Sequence, residues 1–173
     1  LPSFKYYELM ENIKLTNSIT KEKTLPSNLE AEQAVLGSVL VNNDIIDEIS
    51  NIVNSIKFFD PIHRKIYEVI ESLNNKGMIA NPITLKNFFE NNSGLEEVGG
   101  VDYLIKLTRF SASVKQAIDY SKLVHEMYVK RELINISENI SYESRDDSLD
   151  KTGENIIEDA EKSLFDLAER GNF

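Results

Sequence analysis

No cysteine occurs in the 173 residues, which excludes a disulfide framework, a thiolate metal site and a cysteine nucleophile. Such a chain suits a reducing compartment, and a cytoplasmic location is expected. Basic residues are in the minority. The 19 Lys and Arg face 29 Asp and Glu, a formal net charge of -10 that repels phosphate backbones. By segment, residues 1–26 carry +1, 27–113 carry -5 and 114–173 carry -6, so no basic patch hides behind the average. Weak or no direct nucleic-acid binding is the expectation. Long apolar runs are also missing: stretches such as Val39-Leu40-Val41 fall far short of the roughly 20 residues a membrane span needs. The N-terminus has no signal-peptide core, and no membrane partner is expected. Prolines stand only at positions 2, 26, 61 and 82, so the last 91 residues contain none and are free to be helical almost throughout.

What is present is helical patterning. With 41% hydrophobic residues, the length suits one domain with a substantial core. Residues 1–25 show no sustained period and read as a flexible N-terminal arm. Because the chain opens on Leu1, Met10 is the expected initiator and Leu1 to Leu9 are not expected to be native. After Pro26, Ser27-Asn28-Leu29-Glu30 has capping-box spacing with Ser27 as the cap. Leu29, Val35, Leu36, Val39 and Leu40 follow at helical spacing, while Ala31, Ala34 and Gly37 leave room for close packing. Asn42-Asn43-Asp44 breaks the helix before a short one carrying Ile45, Ile46, Ile49, Ile52 and Val53.

Asp60-Pro61 is a strong helix start, with Asp60 as cap and Pro61 at the first helical position, where its missing N–H costs nothing. That helix is expected to bury Ile62, Ile66, Tyr67, Ile70 and Leu73 and to stop at Gly77. A shorter helix, Ile83 to Asn91, turns Leu85, Phe88 and Phe89 inward. Gly94, Gly99 and Gly100 loosen the chain before a turn or two of helix with Tyr103, Leu104 and Leu107. No run alternates with period two, so the class is all-α.

From about Val114 to about Tyr142 nothing breaks a helix of about 45 Å, more than so small a body covers. Its first half gathers Ala117, Tyr120, Leu123, Val124, Met127 and Tyr128 on one side. In its second half Val129, Leu133, Ile136 and Ile140 fall on the opposite, formerly charged side. The first half should therefore pack on the body and the second project from it. After the polar run Glu143 to Thr152, a last helix carries Ile156, Ile157, Ala160, Leu164, Leu167 and Ala168 on one stripe, and the two helices should form an antiparallel hairpin. Phe165 and Ile134 lie off its seam, leftover apolar surface of the kind a partner covers.

Chemistry is sparse. No glycine is followed by lysine, so a P-loop is excluded. Asp60-x-x-His63 occurs once, without the paired Glu-x-x-His motifs of a carboxylate metal site. His63 shares a face with Ile66 and Tyr67 and reads as a buried, hydrogen-bonded histidine; His125 reads as surface. Val98-Gly99-Gly100 reads as a loop or helix entry and the acidic stretch Asp146 to Asp150 as a solvated turn. No residue is assigned a catalytic, metal or cofactor role.

Three strings in order, Leu29 to Gly37, Phe58 to Tyr67 and Val98 to Leu104, together resemble the N-terminal domain of bacterial DnaB-type replicative DNA helicases. The likeness continues through Tyr120-Ser121-Lys122-Leu123-Val124 and Lys130-Arg131-Glu132-Leu133-Ile134 and covers about Leu25 to Gly171. It implies an all-helical bundle, residues 26–113, followed by a helical hairpin, residues 114–171. In that family such domains pair into dimers, three of which form a collar on a hexamer, and primase docks there through its C-terminal domain. It further implies a separate RecA-like ATPase domain, which would hold ATP and Mg and which this sequence does not include; no enzymatic activity is expected of the chain itself. The hairpin residues Met127, Leu133, Ile134, Ile140, Ile157 and Phe165 are the candidates for self-association or primase docking. Leu36, Asp60, His63, Ile66, Gly99, Gly100 and Tyr103 are the structural ones. A free-standing helical adaptor or small helical enzyme of similar architecture is the alternative.

Overall fold

A computed structural model describes residues 25–89, 93–97, 99–148 and 150–170. The expectations for an arm at residues 1–24, for a native start at Met10, and for Asn91, Val98, Leu149 and Gly171 lie outside the described residues. Among the described residues there are helices and no strand.

Helix α1, Leu29–Val41, is the centre of the molecule, buried on nearly every side and packed against the helices Pro61–Asn75, Val101–Thr108 and Val114–Arg145. Its cap is Asn28, whose side chain accepts the Ala31 amide at 2.9 Å, and not Ser27. Ser27 lies one residue outside the helix, after Pro26, whose carbonyl is held by Arg131. Leu29 consequently lies at the exposed edge. Small residues allow the close crossing. A Cβ on Gly37 would collide with the Leu107 carbonyl, and Ser38 accepts the Ala112 amide at 2.9 Å.

A 3-10 turn, Asn43–Ile45, leads into α2, Ile46–Ser50, and a second turn, Ser55–Lys57, leads to α3, Pro61–Asn75. Asp60 caps α3 by accepting the Ile62 amide at 2.8 Å. His63, Ile66, Tyr67, Ile70 and Leu73 form its buried stripe, with Ile62 half-buried beside it. The helix closes with paired bonds from Gly77 N to Asn74 O and Met78 N to Leu73 O, and Gly77 takes the left-handed φ of 68° that this closure needs.

Helix α4 is described over Pro82–Phe89. It buries Leu85 and Phe89, one turn apart, so Phe88 falls on the other side, 44% exposed under the Lys76 ammonium rather than inward. Helices α5, Ser93–Glu97, and α6, Val101–Thr108, meet at Gly99 and Gly100, where φ is 110° and 63°. The Gly99 and Gly100 amides close α5 onto Glu96 O and Leu95 O, and Gly100 is also the entry to α6. These glycines serve one helix-to-helix corner.

Helix α7, Val114–Arg145, runs 32 residues, about 48 Å, three residues beyond the expected Tyr142. Ser113 and Gln116 form its capping box. Ala117, Ser121, Val124, His125, Tyr128 and Arg131 are buried, with Ala117 and Val124 joining the central core. After Arg131 the next positions on that face, Asn135 and Glu138, are exposed. Helix α8, Gly153–Arg170, returns along α7. Lys151 ties the turn by ion pairs to Glu143 at 2.8 Å and Asp159 at 2.6 Å.

Ile66→Ala and Leu36→Ala each remove a fully buried branched side chain and should cost about 2–5 kcal/mol. Gly37→Ala, which adds one methyl on the surface of α1, should lower the melting temperature as well, by steric overlap. Thermal melts decide this: a Gly37→Ala variant as stable as wild type would mean that the α1 crossing is looser than described.

Candidate functional site

Two features stand out: a joint where α7 leaves the head (residues 26–113), and an uncovered face on the hairpin beyond it. The joint is built on the irregular segment 52–60, which lies between α2 and α3 and has little helical bonding of its own. Buried backbone groups need partners, and here side chains supply them. Lys57 Nζ donates to Ile52 O at 2.8 Å, Tyr67 Oη to Val53 O at 3.3 Å and Arg64 Nε to Phe58 O at 2.6 Å. Glu32, 2% exposed on α1, accepts the Phe59 amide at 2.9 Å, the Asp60 amide at 3.2 Å and His63 Nδ1 at 2.9 Å. Three donors around one carboxylate make this buried charge tenable. They also place the His63 proton on Nδ1, so in the neutral ring Nε2 accepts from the Tyr103 hydroxyl at 2.6 Å. Burial pushes the Tyr103 phenol above its usual range.

Arg131 completes the joint from α7. It is 8% exposed, donates from Nη1 to Pro26 O at 2.7 Å and from Nη2 to Lys57 O at 2.8 Å, and lies 5.3 Å from the centre of the Phe59 ring. Desolvation lowers the pKa of both Arg131 and Lys57 from ordinary values. His125 is buried at 7% exposure, a correction to its reading as a surface residue. It sits on α7 one residue after Val124 and one turn after Ser121, close enough to the core-facing row for the head to cover it. Burial first, and the Lys57 charge second, hold its imidazole below the usual range.

The sequence-derived structural residues fall into this frame: Leu36 and Ile66 in the core, Asp60 as cap, His63 and Tyr103 in the Glu32 chain, Gly99 and Gly100 at the corner. The six hairpin candidates do not form one surface. Met127 is half-buried at the edge of the head contact. Ile134 lies in a notch between hairpin and head, with Leu25, Phe59 and Arg64. The seam between α7 and α8 is lined by Ile136, Ile140, Ile156 and Ala160, and only Ile156 and Leu167 of α8 are buried. Ile157, Leu164 and Ala168, expected on the inner stripe, are exposed, because that row lies about 100° around α8 from the row of Ile156, Ala160 and Leu167. Helical geometry puts Ile157 and Leu164 on the same side of the hairpin as Leu133 and Ile140. These four, between 36% and 60% exposed, share one side of the hairpin, with Ile140 at the margin of the seam. Phe165, 64% exposed, points away from α7 and belongs to a different edge.

Glu32, Lys57 and Arg131 escaped the sequence reading. A signal existed for two of them. Glu32 stands among Ala31, Ala34 and Val35 in a helix apolar nearly all round, and Arg131 continues the row Ala117, Ser121, Val124, Tyr128 at helical spacing. Among the described residues no group of His, Asp or Glu is placed to hold a metal ion, and no helix is long and apolar enough to cross a membrane.

Two outcomes test the joint. Glu32→Gln keeps the shape but turns an amide donor toward either the Phe59 amide or the Asp60 and His63 donors, and should cost about 1–3 kcal/mol; an unchanged denaturation midpoint would mean the carboxylate is not the hub. For His125 the depressed folded pKa fixes the sign. Its contribution is complete above about pH 6.5, is lost as pH falls and the unfolded chain takes up the proton first, and stops changing below the folded pKa. His125→Gln should therefore flatten the fall in melting temperature between about pH 7 and about pH 5, and parallel pH profiles would refute it.

Comparison with known proteins places this architecture. The model of the DnaB-like helicase N-terminal domain family matches residues 24–126. The chain is similar to the replicative DNA helicase DnaB of Rickettsia bellii, 42% identical over 149 residues, which are 86% of this chain and 30% of that protein. It is also similar to the replicative DNA helicase DnaC of Bacillus subtilis, 29% identical over 89% of this chain and 34% of that one. The chain thus spans about a third of the length of these relatives. Its fold matches the crystal structure of the N-terminal domain of DnaB helicase from Mycobacterium tuberculosis, with a TM-score of 0.75 and 24% identity over 83% of this chain and 99% of that one. A structure of a DnaB-like replicative helicase and its interactions with primase gives a TM-score of 0.65 and 26% identity, over 81% of this chain and 31% of that one.

Proposed function

The chain belongs to the DnaB-like helicase N-terminal domain family, and from that premise we propose that it is a non-catalytic assembly and docking module of a replicative DNA helicase, working in the cytoplasm. It pairs with a second copy through the hairpin, builds higher assemblies as part of a longer chain, and receives primase. ATP and Mg belong, in this reading, to an ATPase domain elsewhere in such a protein, and this module itself binds neither them nor single-stranded DNA with appreciable affinity. The observation that carries the reading is the apolar side of the hairpin formed by Leu133, Ile140, Ile157 and Leu164, each of which keeps more than a third of its surface exposed after α7 and α8 have packed together. Apolar groups gathered on one face, in a chain otherwise rich in surface charge, mark a contact surface. The primase part is supported by the likeness to a helicase described together with its interactions with primase.

Light scattering at increasing concentration tests the pairing. Wild type should form a two-fold dimer, and Leu133→Asp, which would desolvate an unpaired carboxylate within the face, should abolish it while circular dichroism stays helical. Phe165→Asp, on the other edge, should weaken association less. A wild-type chain that stays monomeric at high concentration refutes the pairing. For the partner, titration with the C-terminal domain of the cognate primase should move amide signals in residues 114–170 more than those in 27–80, and the reverse pattern would place docking on the head.

A further inference from the structure

We propose that Arg131 is the positioning residue that fixes the angle between the hairpin and the head, and with it the geometry in which the hairpin face meets a second copy. The second half of this inference rests on the function proposed above; the first stands on geometry alone. Arg131 is the last residue of the buried row Ala117, Ser121, Val124, Tyr128, Arg131, and Asn135 and Glu138, next in that row, are exposed. Its guanidinium grips two carbonyls far apart in sequence, Pro26 O at 2.7 Å and Lys57 O at 2.8 Å, and packs over Phe59. Neither carbonyl belongs to an α-helix, one lying in the chain entering α1 and one at the end of the Ser55–Lys57 3-10 turn, so a single side chain ties α7 to both.

Immediately beyond it the structure leaves room to move. A notch of about 260 Å³ opens between hairpin and head, lined by Leu25, Phe59, Arg64, Ile134 and Glu138 together with Arg131 itself. No other side chain of α7 beyond residue 131 is buried. Without the fork, α7 could tilt into that notch or away from it at little cost in packing. The planar five-donor fork suits this task; a lysine ammonium is a point donor and does not reproduce the two-pronged grip.

The absence of cysteine makes the test clean, because two introduced thiols are the only labelling sites. Spin labels at Glu68→Cys on α3 and Asp147→Cys at the hairpin turn, both exposed positions, report the distance between head and hairpin tip. Labelled chain is diluted into excess unlabelled chain so that only distances within one molecule are read. With Arg131 intact, pulsed dipolar spectroscopy should give one narrow distribution. Arg131→Met should shift and broaden it, and Arg131→Lys should broaden it too. Val124→Ala, which weakens the α7–head core contact, should lower the melting temperature and leave the distribution in place. If Arg131→Met fails to fold by circular dichroism, Arg131→Lys decides. A distribution superimposable on wild type in the folded variant overturns the proposal. Light scattering on the same samples separates the two readings: a monomeric wild type with an altered Arg131→Met distribution keeps the joint and removes the pairing, whereas a dimer with an unaltered distribution does the reverse.

Discussion

The Glu32 carboxylate is the constraint on which the rest of the head depends. The chain must cross from α2 to α3 through the interior, and a buried irregular segment brings polar backbone groups that neither helix nor water satisfies. Glu32 resolves the α3 end of that crossing by taking the Phe59 and Asp60 amides together with His63. Those two amides immediately precede a helix N-terminus, where a negative charge is also favoured by the aligned peptide dipoles. Once Glu32 is there, His63 has a fixed proton, Tyr103 has an acceptor, and α6 is pinned to α3 through a hydroxyl. The central helix therefore ties the crossing to its neighbours by one charge, on a surface whose other buried contacts are mostly apolar.

Arg131 extends the same logic to the carbonyl side of the same stretch, at Lys57. A buried guanidinium costs desolvation, and two carbonyls recover part of that cost without forming an ion pair. The exchange makes physical sense at a joint. An apolar contact at this point would be non-directional and would let α7 slide, whereas two hydrogen bonds in one plane define an orientation. Oppositely charged side chains act on neighbouring groups of this segment, Arg131 on the Lys57 carbonyl and Glu32 on the Phe59 and Asp60 amides, and fix its last residues between α7 and α1.

The sequence made the apolar skeleton legible because helical periodicity is a signal each helix carries on its own. The stripe of α3, its Asp60-Pro61 start, the Gly77 stop, the glycine corner before α6 and the long α7 with its change of face are all local properties of the chain. What was not legible depends on pairing between elements. A glutamate in an apolar helix shows that something is buried, but not that its partners lie 27 to 31 residues away. Asn28, not Ser27, caps α1, and the Pro26 carbonyl just before them is held by Arg131, 105 residues after Pro26. His125 lies at the edge of its helix stripe, and whether an edge position is covered depends on the neighbour's breadth. The inner stripe of α8 was misread for a related reason: two apolar rows about 100° apart both satisfy the period, and only the packed hairpin chooses Ile156, Ala160 and Leu167 over Ile157 and Leu164.

That choice has an energetic consequence for assembly. Leu133, Ile140, Ile157 and Leu164 are each about half exposed, so covering one gains about 1 kcal/mol. A two-fold contact covers eight such side chains, about 8 kcal/mol, against an association cost of about 4–15 kcal/mol. The face alone therefore supports weak pairing, further opposed by the mutual repulsion of two chains of net charge -10. Tight assembly needs additional contacts made at the same time, and these accumulate only if every copy presents its face at the same angle, since linked contacts add when geometry allows simultaneous engagement and are lost when it does not. A weak face on a long lever thus places the burden of specificity on the joint at the lever's base, which is where the structure spends its buried charges.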